Sequence, residues 1–377
     1  MSRRKRRYER RQKQRAERRQ NALKQFDDFY RIISHKALYE AARQAAKGVS
    51  WKVSVQRYLL NILVNTDLLH NELLSGKDIR KGFISFDINE RGKVRHIRSV
   101  YFSERVAQKS LCLNALYPIL TYNLIFDNGA SQKNKGTKFA TDRLIKHLRQ
   151  HIRRFGVSGY ILLIDYKSYF DSIDHQILKK YYRRYIKDPQ LLTLTDLFVD
   201  AFGDKGLGLG SETSQIHAIS YPNKIDHYIK EIERIKGYGR YMDDSYIIHE
   251  NKKALEGILS RIQKLCDELG IRLNPKKTYI TDLKHGFSFL KTRFHFTETG
   301  KIIKKPCRKS ITYERRKLKK QGKLVAAGLM SAKQVKTSFA SWAGSMKGRN
   351  ANKTVFNMTK LLRKVLKNEK KRNPGRN

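Results

Sequence analysis

Residues 236–250, KGYGRYMDDSYIIHE, place two adjacent carboxylates, Asp243 and Asp244, between two short runs of apolar and aromatic residues. The run before the pair ends in YM, and the run after it reads SYII. β-Branched and aromatic residues on both sides of a two-residue polar centre predict a β-hairpin with the two aspartates at its turn. Taken alone, the pair is also compatible with an ordinary polar turn.

A third carboxylate upstream changes the interpretation of this pair. Residues 160–164, YILLI, form a continuous apolar run, as expected for a buried central strand, and the run ends at Asp165. A carboxylate at the end of such a strand is either a helix cap or a metal ligand. Two adjacent anions repel each other unless a cation lies between them, and Mg²⁺ is the hard cation that carboxylates bind together with substrate phosphates.

The chain is strongly basic. Its 377 residues include 81 Lys and Arg against 34 Asp and Glu, a formal net charge of +47. A field this positive predicts a polyanionic partner whose binding releases counterions. A membrane surface is the competing partner, but no apolar run approaches the roughly 20 residues of a spanning helix, so we expect no membrane association.

The N-terminus and the cysteines indicate the compartment. The basic N-terminal residues lack a following apolar stretch, which argues against a signal peptide. Cys112, Cys266 and Cys307 are sparse and form no CxxC pattern, so we expect reduced thiols, a cytoplasmic location, and neither disulfides nor a zinc site. Residues 1–22 are interpreted as an arm that orders on nucleic acid, or alternatively as a solubilising tail.

The remaining segments predict elements around the carboxylates. Residues 23–75 show helical periodicity, and residues 82–102 indicate a hairpin around a turn at 89–92. Alternation puts Lys93 and Arg95 on one face of its second strand, with Arg98 as a third candidate; this face is a triphosphate or template clamp, or an ordinary solvated face. We further predict helices over 103–120 (N-cap Ser103), 141–155 and 171–184, strands over 271–273 and 287–294, and a basic, mostly helical region from Lys301 onward.

A Gly-rich loop, residues 203–215, leads into a further predicted helix. Glycine backbone before a helix N-terminus allows close approach of a phosphate or a base pair. The loop matches neither GxGxxG nor a Walker loop, so the sequence indicates neither a dinucleotide fold nor an ATPase.

In chain order, these parts resemble the palm domain of reverse transcriptases, for which YMDD is the most specific short string. The resemblance covers roughly residues 80–300. It implies an α+β fold, a right-hand polymerase with fingers, an antiparallel palm sheet and a helical thumb. The expected divisions are a basic arm (1–25), fingers with a helical N-terminal region (26–158), a palm with interleaved finger elements (159–298) and a thumb (299–377).

The resemblance also implies roles for individual residues. Asp165, Asp243 and Asp244, with the carbonyl of Tyr166, are implied to hold two Mg²⁺ ions, and Lys277 (or Lys276) to protonate the pyrophosphate. Phe170 matches the aromatic steric gate that selects deoxynucleotides, an ordinary core aromatic being the alternative. The residues implied to bind the dNTP are Lys93, Arg95, Tyr166, Phe170, Leu209, Gly210 and Gln215; those implied at the primer and template are Tyr241, Met242, Phe289, Leu290 and Arg105. The family pattern after Phe289-Leu290 is Gly, whereas this chain has Lys291.

The branch of the family is indicated by the Gly-rich loop. Intron and retroviral enzymes usually carry Gln where this chain has Leu209, and nothing after residue 300 resembles an RNase H or HNH domain. Leu209-Gly210 with a Ser214-Gln215 ending looks like the bacterial and phage-encoded reverse transcriptases of diversity-generating retroelements. That branch implies low fidelity opposite template adenine, a structured template RNA from the same locus, an RNA/DNA hybrid, dNTPs and a small helical accessory protein. A retron-type or phage-defence enzyme is the alternative, and a non-catalytic RNA-binding protein a more remote one.

Overall fold

The computed structural model describes Arg10, Gln14 and residues 17–90 and 93–370, without the side chains of Glu90, Lys93 and residues 368–370. Most of the predicted basic arm therefore lies outside the described residues. The chain divides into two units: Met1–Ala140, Ile164–Ser245 and Glu256–Thr278 form one, and Thr141–Leu163, Tyr246–Leu255 and Tyr279–Asn377 form the other. The expected division into arm, fingers, palm and thumb stays a prediction.

Helices dominate the first part of the described chain, as the periodicity of residues 23–75 predicts. Side chains of Asp28 and Ser34 cap the first two helices by accepting from the backbone N–H of Arg31 and Ala37. The prediction of Ser103 as an N-cap is wrong, because the helix begins at Phe102 and Ser103 lies in its first turn. The elements are α1 (Phe29–Ile33), α2 (His35–Ala45), α3 (Val53–Leu60), α4 (Ile62–Leu74), β1 (Phe83–Glu90), β2 (Lys93–Val100), α5 (Phe102–Leu111), a π-helical turn (Cys112–Leu116), α6 (Tyr117–Thr121) and α7 (Thr137–Phe155).

Strands β1 and β2 form the predicted antiparallel hairpin, whose turn residues 91–92 lie outside the described ranges. Opposite residues share a face of the sheet, so Arg95 lies on the face of its partner Ile88. Arg98 is not part of the cationic face, because it lies three positions after Arg95 and side chains alternate between the two faces of a strand. The guanidinium carbon of Arg98 lies 5.9 Å from the ring centroid of Phe83.

The middle of the chain alternates strands and helices. These are β3 (Tyr160–Ile164), α8 (Tyr169–Ser172), α9 (His175–Tyr182), α10 (Pro189–Asp200), α11 (Glu212–Ser220), α12 (Asn223–His227), a π-helical turn (Tyr228–Ile232), β4 (Tyr238–Tyr241), β5 (Asp244–His249), α13 (Lys252–Glu268) and β6 (Tyr279–Asp282). A four-stranded sheet has the order β4-β5-β3-β6. Strand β3 is internal and almost wholly buried, as its apolar run predicts.

Three local predictions in this region are wrong. The helix predicted over 171–184 is divided into α8 and α9, and residues 271–273 form only an isolated bridge, from Leu273 to Tyr166. The hairpin turn is Met242-Asp243 instead of Asp243-Asp244, since β4 ends at Tyr241 and Asp244 begins β5. Met242 takes the left-handed φ of +58° that this turn requires.

The last part of the described chain contains a small sheet and three helices. Strands β7 (Phe287–Phe289), β8 (Thr292–Phe296) and β9 (Ile302–Pro306) pair antiparallel in sequence order. The single strand predicted over 287–294 is therefore wrong: Leu290 (φ +45°) and Lys291 (φ +61°) form a two-residue turn. Helices α14 (Arg308–Ala326), α15 (Ala332–Ser345) and α16 (Asn352–Lys370) follow, as predicted.

Apolar side chains from all three C-terminal helices form one core. Leu318 comes from α14, Val335 and Trp342 from α15, and Met358 and Leu362 from α16. The α+β class is confirmed, and all three cysteines are unpaired, as expected. No helix in the described part of the chain combines the length and the apolar composition that a membrane crossing requires.

Candidate active site

Asp165 lies immediately after β3 and is only 4% exposed. It caps no helix, because α8 begins at Tyr169 and follows Ser168. Its two carboxylate oxygens are held by different partners: the amide of Asn274 donates to Oδ1 at 2.8 Å, and Nζ of Lys277 lies 2.6 Å from Oδ2. The alternative of Asp165 as a helix cap is therefore wrong, and its carboxylate is held by a turn far along the sequence.

The backbone around that turn keeps it against the end of β3. The N–H of Asn274 donates to the carbonyl of Asp165 at 2.8 Å, and the N–H of Lys167 donates to the carbonyl of Arg272, also at 2.8 Å. The hydroxyl of Thr278 accepts from the N–H of Asp165 at 3.3 Å. The first two of these hydrogen bonds join backbone groups only. They therefore hold the 272–274 segment beside Asp165 without help from the side chains of Asn274 and Lys277.

Between the two candidate lysines, the structure places Lys277 at the carboxylates. Lys276 contributes its backbone N–H to Oδ1 of Asn274. The hydrogen bond to Asp165, and then the charges of the three aspartates, raise the pKa of Lys277. Lys277 therefore stays cationic beside the carboxylate of Asp165.

The hairpin turn brings Asp243 and Asp244 to the same place. Burial, followed by the charges of Asp243 and Asp165, raises the pKa of Asp244 to about 7, and hydrogen bonding with the carboxyl of Asp165 contributes in the same direction. Three carboxylates therefore lie close enough to suppress the ionisation of one of them.

The donor set fits a hard divalent cation. Asp165, Asp243 and Asp244 offer only oxygen ligands, and the raised pKa of Asp244 reflects its burial and the negative charges of the other two. Within the described ranges, no group of three His, Cys, Asp or Glu side chains is already arranged as a metal shell. The hydrogen bonds from Asn274 and Lys277 to Asp165 occupy oxygens that an ion would share. Tyr166, whose carbonyl is the fourth predicted ligand, is only 3% exposed.

Three aromatic residues follow Asp165, and they differ in exposure. Tyr166 and Tyr169 are buried, and the hydroxyl of Tyr169 donates to the carbonyl of Ala218 at 2.5 Å. Phe170 is half-buried and meets Tyr169 edge-on at 5.9 Å between ring centroids. The two tyrosines are therefore part of the buried core, whereas part of the Phe170 ring is accessible to a ligand.

The Gly-rich loop lies along β2. The carbonyl of Leu209 accepts from the N–H of Arg98 at 3.4 Å. Gly210 has φ +109°, and a Cβ there would lie 3.3 Å from Cγ2 of Ile97, so a larger residue is both strained and crowded. This contact places Leu209 beside the strand that carries Arg95, which is half-buried, and Lys93, whose side chain lies outside the described residues.

Three other predicted residues line one cavity of about 690 Å³: Arg105, Gly210 and Gln215. Lys47, Lys109 and Lys133 also line it. Gln215 is exposed, and its side-chain oxygen accepts from the hydroxyl of Ser131 at 3.3 Å. Glu212 also lines the cavity and forms an ion pair with Lys109 at 2.9 Å, and the remaining excess of positive charge suits a phosphate backbone.

The predicted primer and template residues fall into both units. Tyr241 and Met242 are half-buried at the end of β4 and in its turn, within the unit of the carboxylates. Phe289 and Leu290 belong to the other unit. Phe289 is buried and packs edge-on against Tyr246 at 5.1 Å, whereas Leu290 is half-buried at the β7–β8 turn.

The sequence interpretation missed several side chains that hold these groups. Asn274 and Thr278 flank the predicted lysines, and the NPKKT string is the only local signal for them. A second missed pair, Asp226 and Arg240, lies behind the hairpin turn. No spacing rule links Asp226 to Arg240, because they belong to different elements.

Comparisons with known proteins agree with these motifs. Residues 71–296, more than half of the chain, match the family model described as reverse transcriptase (RNA-dependent DNA polymerase). Protein YkfC of Escherichia coli K12 is 24% identical over 286 residues, which cover 61% of this chain and 71% of YkfC.

Among solved structures, telomerase from Candida albicans, in complex with a fragment of telomeric RNA, is similar with a TM-score of 0.46 and 14% identity. The match covers 78% of this chain but only 55% of the telomerase chain. Because the family model matches more than half of the chain and includes the three aspartates and Lys277, this protein belongs to the reverse transcriptase (RNA-dependent DNA polymerase) family.

Proposed function

We propose that this chain is an RNA-templated DNA polymerase whose catalytic centre is formed by Asp165, Asp243, Asp244 and Lys277. The observation that supports it most directly is the contact between Asp165 and Lys277, which lie 112 residues apart in the sequence. Asp165 also lies close enough to Asp244 to raise its pKa. Family membership supplies the reaction class, and the residues of this chain supply the roles proposed below.

The proposed reaction is attack of a primer 3′-hydroxyl on the α-phosphorus of a dNTP, with pyrophosphate as the leaving group. Asp165, Asp243 and Asp244 would hold two Mg²⁺, which when bound lower the pKa of the hydroxyl and neutralise charge on the phosphate oxygens. Lys277 holds a proton at Nζ and delivers it to an oxygen of the departing pyrophosphate. Asn274 keeps the Asp165 carboxylate oriented by its 2.8 Å hydrogen bond.

The proposed substrate contacts follow from the surrounding elements. Lys93 and Arg95 bind the triphosphate, and the accessible part of the Phe170 ring excludes a 2′-hydroxyl. Gly210 and Gln215 contact the dNTP, and Arg105 contacts the primer or template, around the cavity that these three residues line. The net charge of +47 supports binding of an RNA/DNA hybrid through its phosphates.

A primer-extension assay tests this function. Purified protein, an RNA template, a DNA primer, dNTPs and Mg²⁺ should yield cDNA, and Asp243→Ala with Asp244→Ala should lower the rate by about 1,000-fold or more, since the metal ligands are lost. Asp67→Ala with Glu72→Ala removes two exposed acidic groups of α4 and is the matched control. Full extension by the double hairpin variant would contradict the catalytic assignment.

We propose further that the enzyme is the error-prone polymerase of a diversity-generating retroelement, bacterial or phage-encoded and acting in the cytoplasm. Leu209 supports this, because an aliphatic side chain beside β2 offers no hydrogen bond to the incoming nucleotide. Lost hydrogen bonds reduce discrimination between correct and incorrect substrates. A structured RNA from the same locus is the proposed template, and a small helical accessory protein the proposed partner.

Leu209→Gln tests the fidelity proposal. An amide at this position can hydrogen-bond the nucleotide, so we expect misincorporation opposite template adenine to fall by about tenfold, measured by sequencing the cDNA. Leu209→Met is the matched control, because it keeps the volume without adding a hydrogen-bonding amide. An error spectrum that is the same in all three proteins would contradict the role of Leu209.

A retron-type or phage-defence enzyme is the alternative within the family. Sequencing the RNA that copurifies with the protein, and the cDNA formed on adding Mg²⁺ and dNTPs, separates the two. A locus-encoded repeat with changes at template adenines supports the retroelement, whereas a faithful copy of a short structured RNA supports the alternative. A non-catalytic RNA-binding protein is disfavoured because the three aspartates and Phe170 are all present.

A further inference from the structure

Arg240 and Asp226 form a buried ion pair behind the hairpin turn. Arg240, on β4, is 1% exposed, and Asp226, on α12, is 0% exposed. Nε of Arg240 donates to Oδ1 of Asp226 at 2.8 Å, and Nη2 donates to Oδ2 at 2.6 Å. Two parallel hydrogen bonds fix the plane of the guanidinium as well as its position.

The remaining donors of this guanidinium reach two other elements. Nη2 donates to the carbonyl of Ile219, near the C-terminus of α11, at 2.7 Å. Nη1 donates to the carbonyl of Met242, in the turn between β4 and β5, at 3.0 Å. One planar group therefore joins α11, α12 and the turn that carries Asp243.

The contact with Met242 bears directly on Asp243. The carbonyl of Met242 and the N–H of Asp243 belong to the same planar peptide unit, so a fixed carbonyl fixes the direction in which Asp243 leaves the turn. Met242 also has φ +58°, a conformation that costs energy for a residue with a side chain. The hydrogen bond from Arg240 favours this strained geometry over relaxed alternatives.

Other contacts hold Arg240 and Asp226 in place. The N–H of Arg240 donates to the carbonyl of Asp127 at 3.1 Å, and its own carbonyl accepts from the N–H of Gly129 at 2.9 Å. The hydroxyl of Tyr238 donates to Oδ1 of Asp226 at 2.5 Å. Burial opposes the charge on Arg240, but the attraction of Asp226 outweighs it, so the pKa of the guanidinium is raised and the side chain stays cationic.

We propose that Arg240 and Asp226 are positioning residues, which orient the Met242–Asp243 peptide so that Asp243 meets a divalent cation together with Asp165. The proposal rests on the proposed function and assigns a role to two buried residues that act through the hairpin turn. A buried ion pair contributes little net stability, because desolvation offsets its attraction, and apolar residues of similar volume often replace such a pair without loss of folding. Orientation of the turn is then the contribution that an apolar pair cannot reproduce.

The experiment compares the full-length protein with the variant Arg240→Met, Asp226→Leu, which removes both charges together. We expect a cooperative thermal transition, a kcat for primer extension lowered by about tenfold or more, and a dNTP KM within about twofold of wild type. Mn²⁺ binding, followed by electron paramagnetic resonance, should weaken by about tenfold. Amide hydrogen exchange of residues 241–244 should accelerate.

A second variant keeps the test decisive if the first does not fold. Arg240→Lys retains a cation opposite Asp226 but has no planar group that can reach Asp226 and Met242 together, so we expect the same changes in kcat and Mn²⁺ affinity. The control is Arg183→Met with Asp196→Asn, which removes an ion pair between α9 and α10 and should leave Mn²⁺ affinity unchanged.

The outcomes separate this inference from the proposed function. If the wild type extends primers and a folded Arg240 variant matches it in kcat, Mn²⁺ affinity and exchange, the positioning role is overturned. If the wild type extends no primer, the proposed function fails, and the Mn²⁺ and exchange measurements still decide whether Arg240 orients the turn.

Discussion

The β4–β5 hairpin carries two candidate catalytic carboxylates and the β1–β2 hairpin carries the candidate triphosphate-binding cations, and the two hairpins differ in how much of their surface is buried. In β4–β5, Tyr238 and Arg240 are buried, and so are residues 245–248. In β1–β2, large apolar side chains are exposed, such as Phe86 at 46% and Val94 at 52%. Both hairpins pair two antiparallel strands, but among their described residues only those of β4–β5 are mostly buried and joined by buried hydrogen bonds.

This difference matches the proposed tasks of the two hairpins. Carboxylates that share metal ions need fixed positions, which a buried scaffold supplies before the substrate arrives. A cationic hairpin that grips a triphosphate gains from moving with it and ordering on binding. Within β1–β2 the ion pair between His96 and Asp87 is exposed, and such surface pairs contribute little to order. We therefore expect substitutions to affect the rate at β4–β5 and its contacts, but affinity at β1–β2.

The largest effect that sharpens this comparison is expected at Lys277, which contacts the carboxylate supported by the buried scaffold. Lys277→Ala should lower kcat by about 100-fold, because general acid catalysis typically contributes about 100- to 10,000-fold. Lys276→Ala is the control and should change kcat by about twofold at most, since its side chain makes no described contact with Asp165. Single-turnover primer extension measures both, and equal losses would contradict the assignment of the acid to Lys277.

An effect of the opposite kind is expected at the exposed hairpin. Arg95→Ala should raise the dNTP KM by about tenfold with a smaller change in kcat, because a charge-assisted contact to the triphosphate contributes about 1.5–3 kcal/mol. Arg98→Ala is the matched control, since Arg98 lies on the opposite face, over Phe83. Steady-state rates measured against dNTP concentration give KM and kcat for both variants. A decrease in kcat without a change in KM for Arg95→Ala would contradict the proposed difference between the two hairpins.

The smallest effect is a pH dependence of stability at Asp244. Its folded-state pKa, about 7, lies above its ordinary value, so the folded protein binds a proton that the unfolded chain releases. The metal-free protein should therefore lose stability as pH rises from about 4 to about 7, on the order of 2 kcal/mol. Asp244→Asn should remove this loss and raise Tm by a few degrees at pH 8 in EDTA.

Added Mg²⁺ provides the control for the Asp244 measurement. The ion replaces the shared proton, so it should raise the wild-type Tm at pH 8 more than that of Asp244→Asn. Calorimetric melting curves at pH 5 and pH 8, with and without Mg²⁺, give the comparison. Parallel pH profiles for both proteins would show that Asp244 retains no proton in the folded state.

The sequence by itself determined the family and the order of its parts. The apolar run before Asp165, the YMDD string and the basic composition are local or global patterns, and local periodicity is sufficient to predict a buried strand and a hairpin. These patterns also named the three aspartates that the fold brings together. Their roles and the fidelity attributed to Leu209 stay predictions that the assays above test.

Only the tertiary structure decided how these groups are held. Asp165 meets Asn274 and Lys277 across 109 and 112 residues, and Arg240 meets Asp226 from another element, so no periodicity could pair them. The carbonyl of Met242, in the hairpin turn, accepts a hydrogen bond from Arg240, whose guanidinium also binds Asp226 on α12. Sequence patterns reflect the conformational preferences of residues that are close in the chain. The partner of a buried charge, in contrast, is determined by which elements pack together in the folded protein.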